Sequence, residues 1–173
     1  MATFGDTSTN ESGNAVYYGG YMYFSRTTYA LSENGVASGM SAYMKGGASN
    51  QVVRLALYAA DGTGGHPGTL KGCTEQLTLT SGDSSFAWKG GSFTASLTAS
   101  NYWMGFWFGT TSQMISVAYP PAYSSSMPYF TLAYHATNSP GNLTGSLSAA
   151  TGRALVYSTY TPGAFAGLIV TRP

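Results

Sequence analysis

A chain of 173 residues with 43% hydrophobic and 14% aromatic side chains holds ample material for one ordinary core, which excludes a disordered chain. Charged residues make up only 8%, against roughly 25% in an average soluble domain, and the seven Lys and Arg are scattered singly at a net charge of +1, which argues against nucleic acid as the main partner. One cysteine rules out an intrachain disulfide, and nothing approaches the roughly 18 consecutive apolar residues of a membrane span.

The opening residues have neither a basic region nor an apolar run, so no secretory leader is expected. Residues 1–16 are rich in Thr, Ser, Asn and Gly and read as an extended arm or edge segment. Tyr17 to Phe24 is aromatic enough for a strand, with a bulge or bend at Gly19-Gly20. Asn34-Gly35 is a turn signal, and behind it Val36, Met40, Ala42 and Met44 alternate with smaller or polar residues, as on a half-buried strand. Gln51 to Ala60 has the cleanest period of two: Val53, Leu55 and Leu57 share one face, Val52, Arg54, Ala56 and Tyr58 the other.

Asp61 to Gly68 carries four glycines and a proline and reads as a loop. Leu70 to Thr80 resumes as a strand, and after Ser81-Gly82-Asp83 the chain enters Phe86 to Leu97, with Trp88 and Phe93 as anchors. In Asn101 to Gly109, large apolar residues occupy both alternating faces: Tyr102, Met104, Phe106 and Phe108 on one, Trp103 and Trp107 on the other. A strand buries both faces only when each is covered, so this is expected to be the central strand, with the two indoles and their ringed neighbours filling the middle of the protein. Met114 to Tyr119, a brief strand within Phe130 to Tyr134, and Arg153 to Thr161 complete the set.

No long apolar pattern of period 3.6 occurs. The expected fold is all-β: a two-sheet antiparallel β-sandwich, jelly-roll-like, with few short helices. It forms a single domain over 1–162, followed by an apolar tail over 163–173. That tail contains Phe165, Leu168, Ile169 and Val170, and such a β-prone segment is an aggregation hazard unless it is paired. It reads either as a last strand of the same domain or as a segment that docks on a neighbouring subunit.

Catalytic constellations do not assemble. The six acids all lie in the first half, in or beside turns and arms, where a glycosidase needs two carboxylates across a cleft. His66, His135 and Cys73 make no zinc signature, there is no Gly-x-Ser-x-Gly, and Asp61 and Asp83 lack the dense oxygen spacing of a calcium loop. No enzyme activity, cofactor or metal site is therefore expected. Tyrosine, at 14 residues, is the remaining functional group. Tyr17, Tyr18, Tyr123 and Tyr129 are candidate interface residues together with the tail, because a tyrosine offers a rigid apolar ring and one hydroxyl.

Four stretches come in a telling order: Val53-Arg54-Leu55-Ala56-Leu57-Tyr58, Pro67-Gly68-Thr69-Leu70, Leu97-Thr98-Ala99-Ser100-Asn101-Tyr102-Trp103-Met104-Gly105 and Gly152-Arg153-Ala154-Leu155-Val156-Tyr157. They resemble a β-sandwich module of bacteriophage structural proteins and bacterial surface proteins. In that module an Arg-x-Ala-hydrophobic-Tyr strand, a Pro-Gly-Thr-Leu turn and a Leu-Thr-Ala-Gly-Thr-Tyr-Trp strand start follow one another. The likeness covers about Thr7 to Pro162. It implies a virion protein of the capsid surface or tail, decorating or cementing the capsid as a homo-oligomer such as a trimer, with the major capsid protein as partner. The alternative it implies is a carbohydrate- or host-receptor-binding module of a tail fibre or surface protein, with a surface glycan as partner.

Overall fold

The computed structural model describes residues 1–18, 21–25, 28–47, 49–109, 114–121, 123, 126–131, 140–145, 147–150 and 152–163. Within them run thirteen strands: β1 (Ala2–Gly5), β2 (Gly13–Tyr18), β3 (Tyr21–Phe24), β4 (Tyr29–Leu31), β5 (Gly35–Lys45), β6 (Gln51–Ala59), β7 (Leu70–Cys73), β8 (Leu77–Leu79), β9 (Ala87–Leu97), β10 (Ser100–Phe108), β11 (Met114–Tyr119), β12 (Tyr129–Thr131) and β13 (Val156–Pro162). One 3-10 turn at Thr63–Gly65 is the helical element among the described residues.

The strands form two antiparallel sheets packed face to face, a β-sandwich. The first runs β1-β13-β5-β11-β2, with β9 also on β5; the second runs β12-β3-β10-β6-β7, with β4 also on β10 and β8 also on β6. Successive strands often belong to opposite sheets. The stretch from Tyr17 to Phe24, read as one strand, is two: β2 in the first sheet and β3 in the second. Asn34-Gly35 likewise joins strands of different sheets and closes no hairpin; Asn34 instead ties the corner by accepting, at Oδ1, the Ala99 N–H at 2.8 Å. The segment 1–16, read as an arm or edge, supplies strands at both ends of the first sheet, β1 on β13 and β2 on β11.

The strand β10 is central in its sheet, with β6 along one side and β3 and β4 along the other. Tyr102, Met104, Phe106 and Phe108 point between the sheets, where they meet Val53, Leu55 and Leu57 of β6 and Met40, Ala42 and Met44 of β5; all are buried. The indoles do not fill this middle. Trp103 packs on the opposite face of β10 in a second cluster with Met22, Phe24, Ala56 and Tyr58, over which Leu143 and Leu147 lie. Trp107 is fully buried and shares Trp103's side of β10, opposite Met22 and Arg54 on the neighbouring strands. Strict alternation makes this division unavoidable, since residues two apart must share a face. Gly105 lies between the indoles because a side chain there would collide with its neighbours: an added Cβ would fall 2.7 Å from Phe24 Cε1 and 3.0 Å from Met22 Cε.

Two local irregularities shift faces that the simple period assigns. In β5 the register against β13 slips at Ser38, an extra residue between the pairs Ala37–Tyr160 and Gly39–Thr159, so Ala37 and Met40 both point inward and Val36 is left 43% exposed. The stretch Leu70 to Thr80 is not one strand but β7 and β8, both paired to β6, with Thr74 to Gln76 between them. Thr74 is fully buried at that break. Its N–H donates to Leu55 O at 2.9 Å and its Oγ1 accepts the Leu55 N–H at 3.0 Å, so a side chain stands in for the missing ladder.

Candidate functional site

The structure brings a set of tyrosines together where the two sheets part company, at the open side bounded by β2 and by β3 with β12. Period two puts Tyr21 and Tyr23 on one face of β3, away from Met22 and Phe24, and the β12 register places Tyr129 opposite Tyr23. Tyr17 reaches across from β2. Its ring lies 4.6 Å from that of Tyr23 and stacks parallel on Phe108 at 5.9 Å, while Tyr129 meets Tyr21 edge-on at 5.1 Å. Beside these rings runs a groove of about 490 Å³ lined by Asn14, Val16, Tyr17, Tyr23, Met127 and Tyr129, together with Ser126. Val16 and Tyr129 form an apolar rim, 46% and 37% exposed. Among the described residues, no Lys, Arg, Asp or Glu lines the groove.

Of the residues expected at an interface, Tyr129 is at this rim and Tyr17 is not. Tyr17 is buried within its own chain at 6% exposure, and burial, reinforced by the neighbouring Tyr23 and Tyr119 phenols, pushes its hydroxyl well above the usual range. It supports the rim from beneath and stays neutral. Tyr18 ends β2, and Tyr123 stands apart: its hydroxyl accepts a 3.1 Å hydrogen bond from Arg153, whose guanidinium lies over the rings of Tyr123 and Tyr29. Phe165, Leu168, Ile169 and Val170 lie outside the described residues. Val16 and Met127 were missed because nothing in their sequence neighbourhood marks them; only the pairing of β2 and β12 into different sheets makes them neighbours.

The ionisable groups have local duties. Asp61 accepts hydrogen bonds from Thr69 N–H at 2.7 Å and Thr69 Oγ1 at 2.6 Å, which hold its carboxyl below the ordinary range and close the glycine-rich loop. His66 accepts the Leu147 N–H at Nδ1, 3.0 Å, and so fastens the segment that covers Trp103; Trp103 itself donates to Gly65 O at 2.8 Å. Glu33 accepts from the Tyr160 hydroxyl at 3.2 Å, and Asp6 pairs with Arg153 at 3.6 Å. Among the described residues, no three of His, Cys, Asp and Glu gather as a metal site would require.

Asp83 accepts from the Lys89 ammonium and from the N–H and hydroxyl of Thr80, and these draw its carboxyl down to about 2. A group whose folded value lies below its unfolded one, about 3.9 for Asp, contributes stability above that unfolded value and loses it as the pH falls through the folded one. Thermal melts of Asp83→Asn and the unmodified protein are therefore expected to differ at neutral pH and to converge between about pH 4 and about pH 2. A gap in melting temperature that persists undiminished at about pH 2 would show that the carboxylate's charge is irrelevant to the turn.

No protein-family model matches this chain, and no curated protein or solved structure does either.

Proposed function

We propose that this chain is a non-enzymatic structural protein of a bacteriophage particle that decorates or cements the capsid as a homo-oligomer. The observation that carries this reading is the ring-lined groove, free of charged side chains among its described lining residues, whose rim of Val16 and Tyr129 stands open at the edge of the sandwich. Rigid aromatic rings with one hydroxyl each give large contact area at low ordering cost, as in protein interfaces. The resemblance of the strand and turn motifs to phage structural modules directs that surface to a capsid. The apolar stretch Phe165 to Val170 adds material for contacts between copies.

Attachment of this kind rests on apolar and neutral polar contacts, so screening by salt affects it little. The test uses capsids of the phage that encodes the chain, stripped of it and incubated with recombinant protein. Particles washed in molar salt are expected to retain the protein, whereas Val16→Asp and Tyr129→Ala, both at exposed positions, are expected to leave the particles bare. Release by salt alone, or undiminished retention of both variants, would remove the groove from the assembly role.

A further inference from the structure

The outer face of the first sheet holds a second set of rings, remote in sequence from the tyrosines of the groove. Tyr43 of β5 stands directly opposite Trp88 of β9, their centroids 5.3 Å apart. Tyr157 of β13 meets Trp88 at 4.8 Å, nearly edge-on, and Phe86 stacks on Tyr43 at 5.7 Å. All four rings are half-buried, so each keeps some surface in water. Together they hold the indole of Trp88 in one orientation.

Next to Trp88 lies a groove of about 400 Å³ at the seam between β8 and β9, lined by Gln76, Leu77, Thr78, Leu79, Trp88, Lys89 and Gly90. That volume is within the range of small-ligand clefts, about 300 to 1,000 Å³, and is the wrong form for the broad patch that a stable protein partner needs. Its polar groups are neutral amides and hydroxyls from the exposed Gln76 and Thr78. Among the described lining residues the one cation, Lys89, is already paired with Asp83, and there is no carboxylate. Gly90 beside the indole lacks a side chain because β5 fills that place: an added Cβ would collide with Met40 O and with Ser41 Oγ.

We infer that this groove is a binding site for a neutral oligosaccharide. A sugar ring has an apolar face of C–H groups and a rim of hydroxyls; the first suits a fixed indole, the second suits the side chains of Gln76 and Thr78. An anionic ligand would find no free cation among the described lining residues, and a cationic one no carboxylate.

The experiment is a screen of the recombinant protein on an array of neutral and charged glycans, followed by titration of each neutral hit with tryptophan emission as readout. Three exchanges accompany it: Trp88→Ala, which removes the platform; Thr78→Arg, at an exposed position, which fills the groove with the rings intact; and Val36→Ala, at an exposed position that lines neither groove, as control. At least one neutral glycan is expected to bind and to perturb the emission. Trp88→Ala and Thr78→Arg are each expected to weaken it by about tenfold or more, with Val36→Ala unchanged. Circular dichroism establishes that each variant is folded, and Thr78→Arg answers the question should Trp88→Ala fail to fold. Absence of any neutral hit, binding of charged glycans alone, affinity indifferent to Thr78→Arg, or loss of self-association in Trp88→Ala without any glycan bound would each overturn the assignment. None of these outcomes bears on capsid attachment through Val16 and Tyr129, so the two proposals fail separately.

Discussion

Replacing Phe106 by alanine is expected to destabilise the protein by about 3 to 5 kcal/mol, enough to consume much of the roughly 5 to 15 kcal/mol that holds an ordinary domain together. The ring is fully buried on the inter-sheet face of β10 and stacks on Phe108 at 6.2 Å with planes 10° apart. Its removal leaves a cavity walled by strands of both sheets, which cannot collapse without moving the ladders that bind them. Tyr129→Ala, at a position 37% exposed, supplies the contrast, because exposed truncations usually stay within about 0.5 kcal/mol. Urea titrations of the two variants decide the matter: equal costs would mean that β10 is not the centre of the core.

The second large effect is expected at a polar position. Thr74→Val keeps the shape of the side chain and replaces its hydroxyl by a methyl group, so packing is unchanged and a single acceptor is lost. The Leu55 N–H, which donates to Thr74 Oγ1 at 3.0 Å, then faces a methyl group in the interior. An unsatisfied buried donor costs about 1 to 3 kcal/mol. Thr74→Ser, which restores the oxygen and omits the methyl, is expected to recover most of that loss. A midpoint for Thr74→Val within error of the unmodified protein, with the same denaturant slope, would show that Leu55 finds another acceptor.

How far the sequence could be read is set by whether a feature depends on neighbours along the chain or across it. The double-faced burial of β10 is written in residues 102 to 108 themselves, because alternation acts within one strand. The all-β class follows from the same local signal. Which strands pair does not, since β9 and β10 are joined by Thr98-Ala99 and yet belong to different sheets. For the same reason the indoles were expected in the middle. Their burial is legible in residue type, but the second cluster that buries Trp103 needs Leu143 and Leu147, brought there by the glycine-rich loop and the His66 hydrogen bond. Val36 turned outward because one extra residue of β5, Ser38, against β13 reversed its face, a shift that no period can announce. The tyrosine groove was half legible: the excess of rings is a matter of composition, whereas its walls come from two strands that never touch in sequence.

Among the described residues β13 is the last strand and lies between β1 and β5, so until it arrives β1 has no described neighbour in its sheet. During synthesis, the backbone of β1 must therefore wait unpaired by β13 while more than a hundred further residues leave the ribosome. A nascent chain stalled short of Val156 would carry an unclosed sheet and a bare aromatic surface, and this is the stage at which a holding chaperone would find something to grasp.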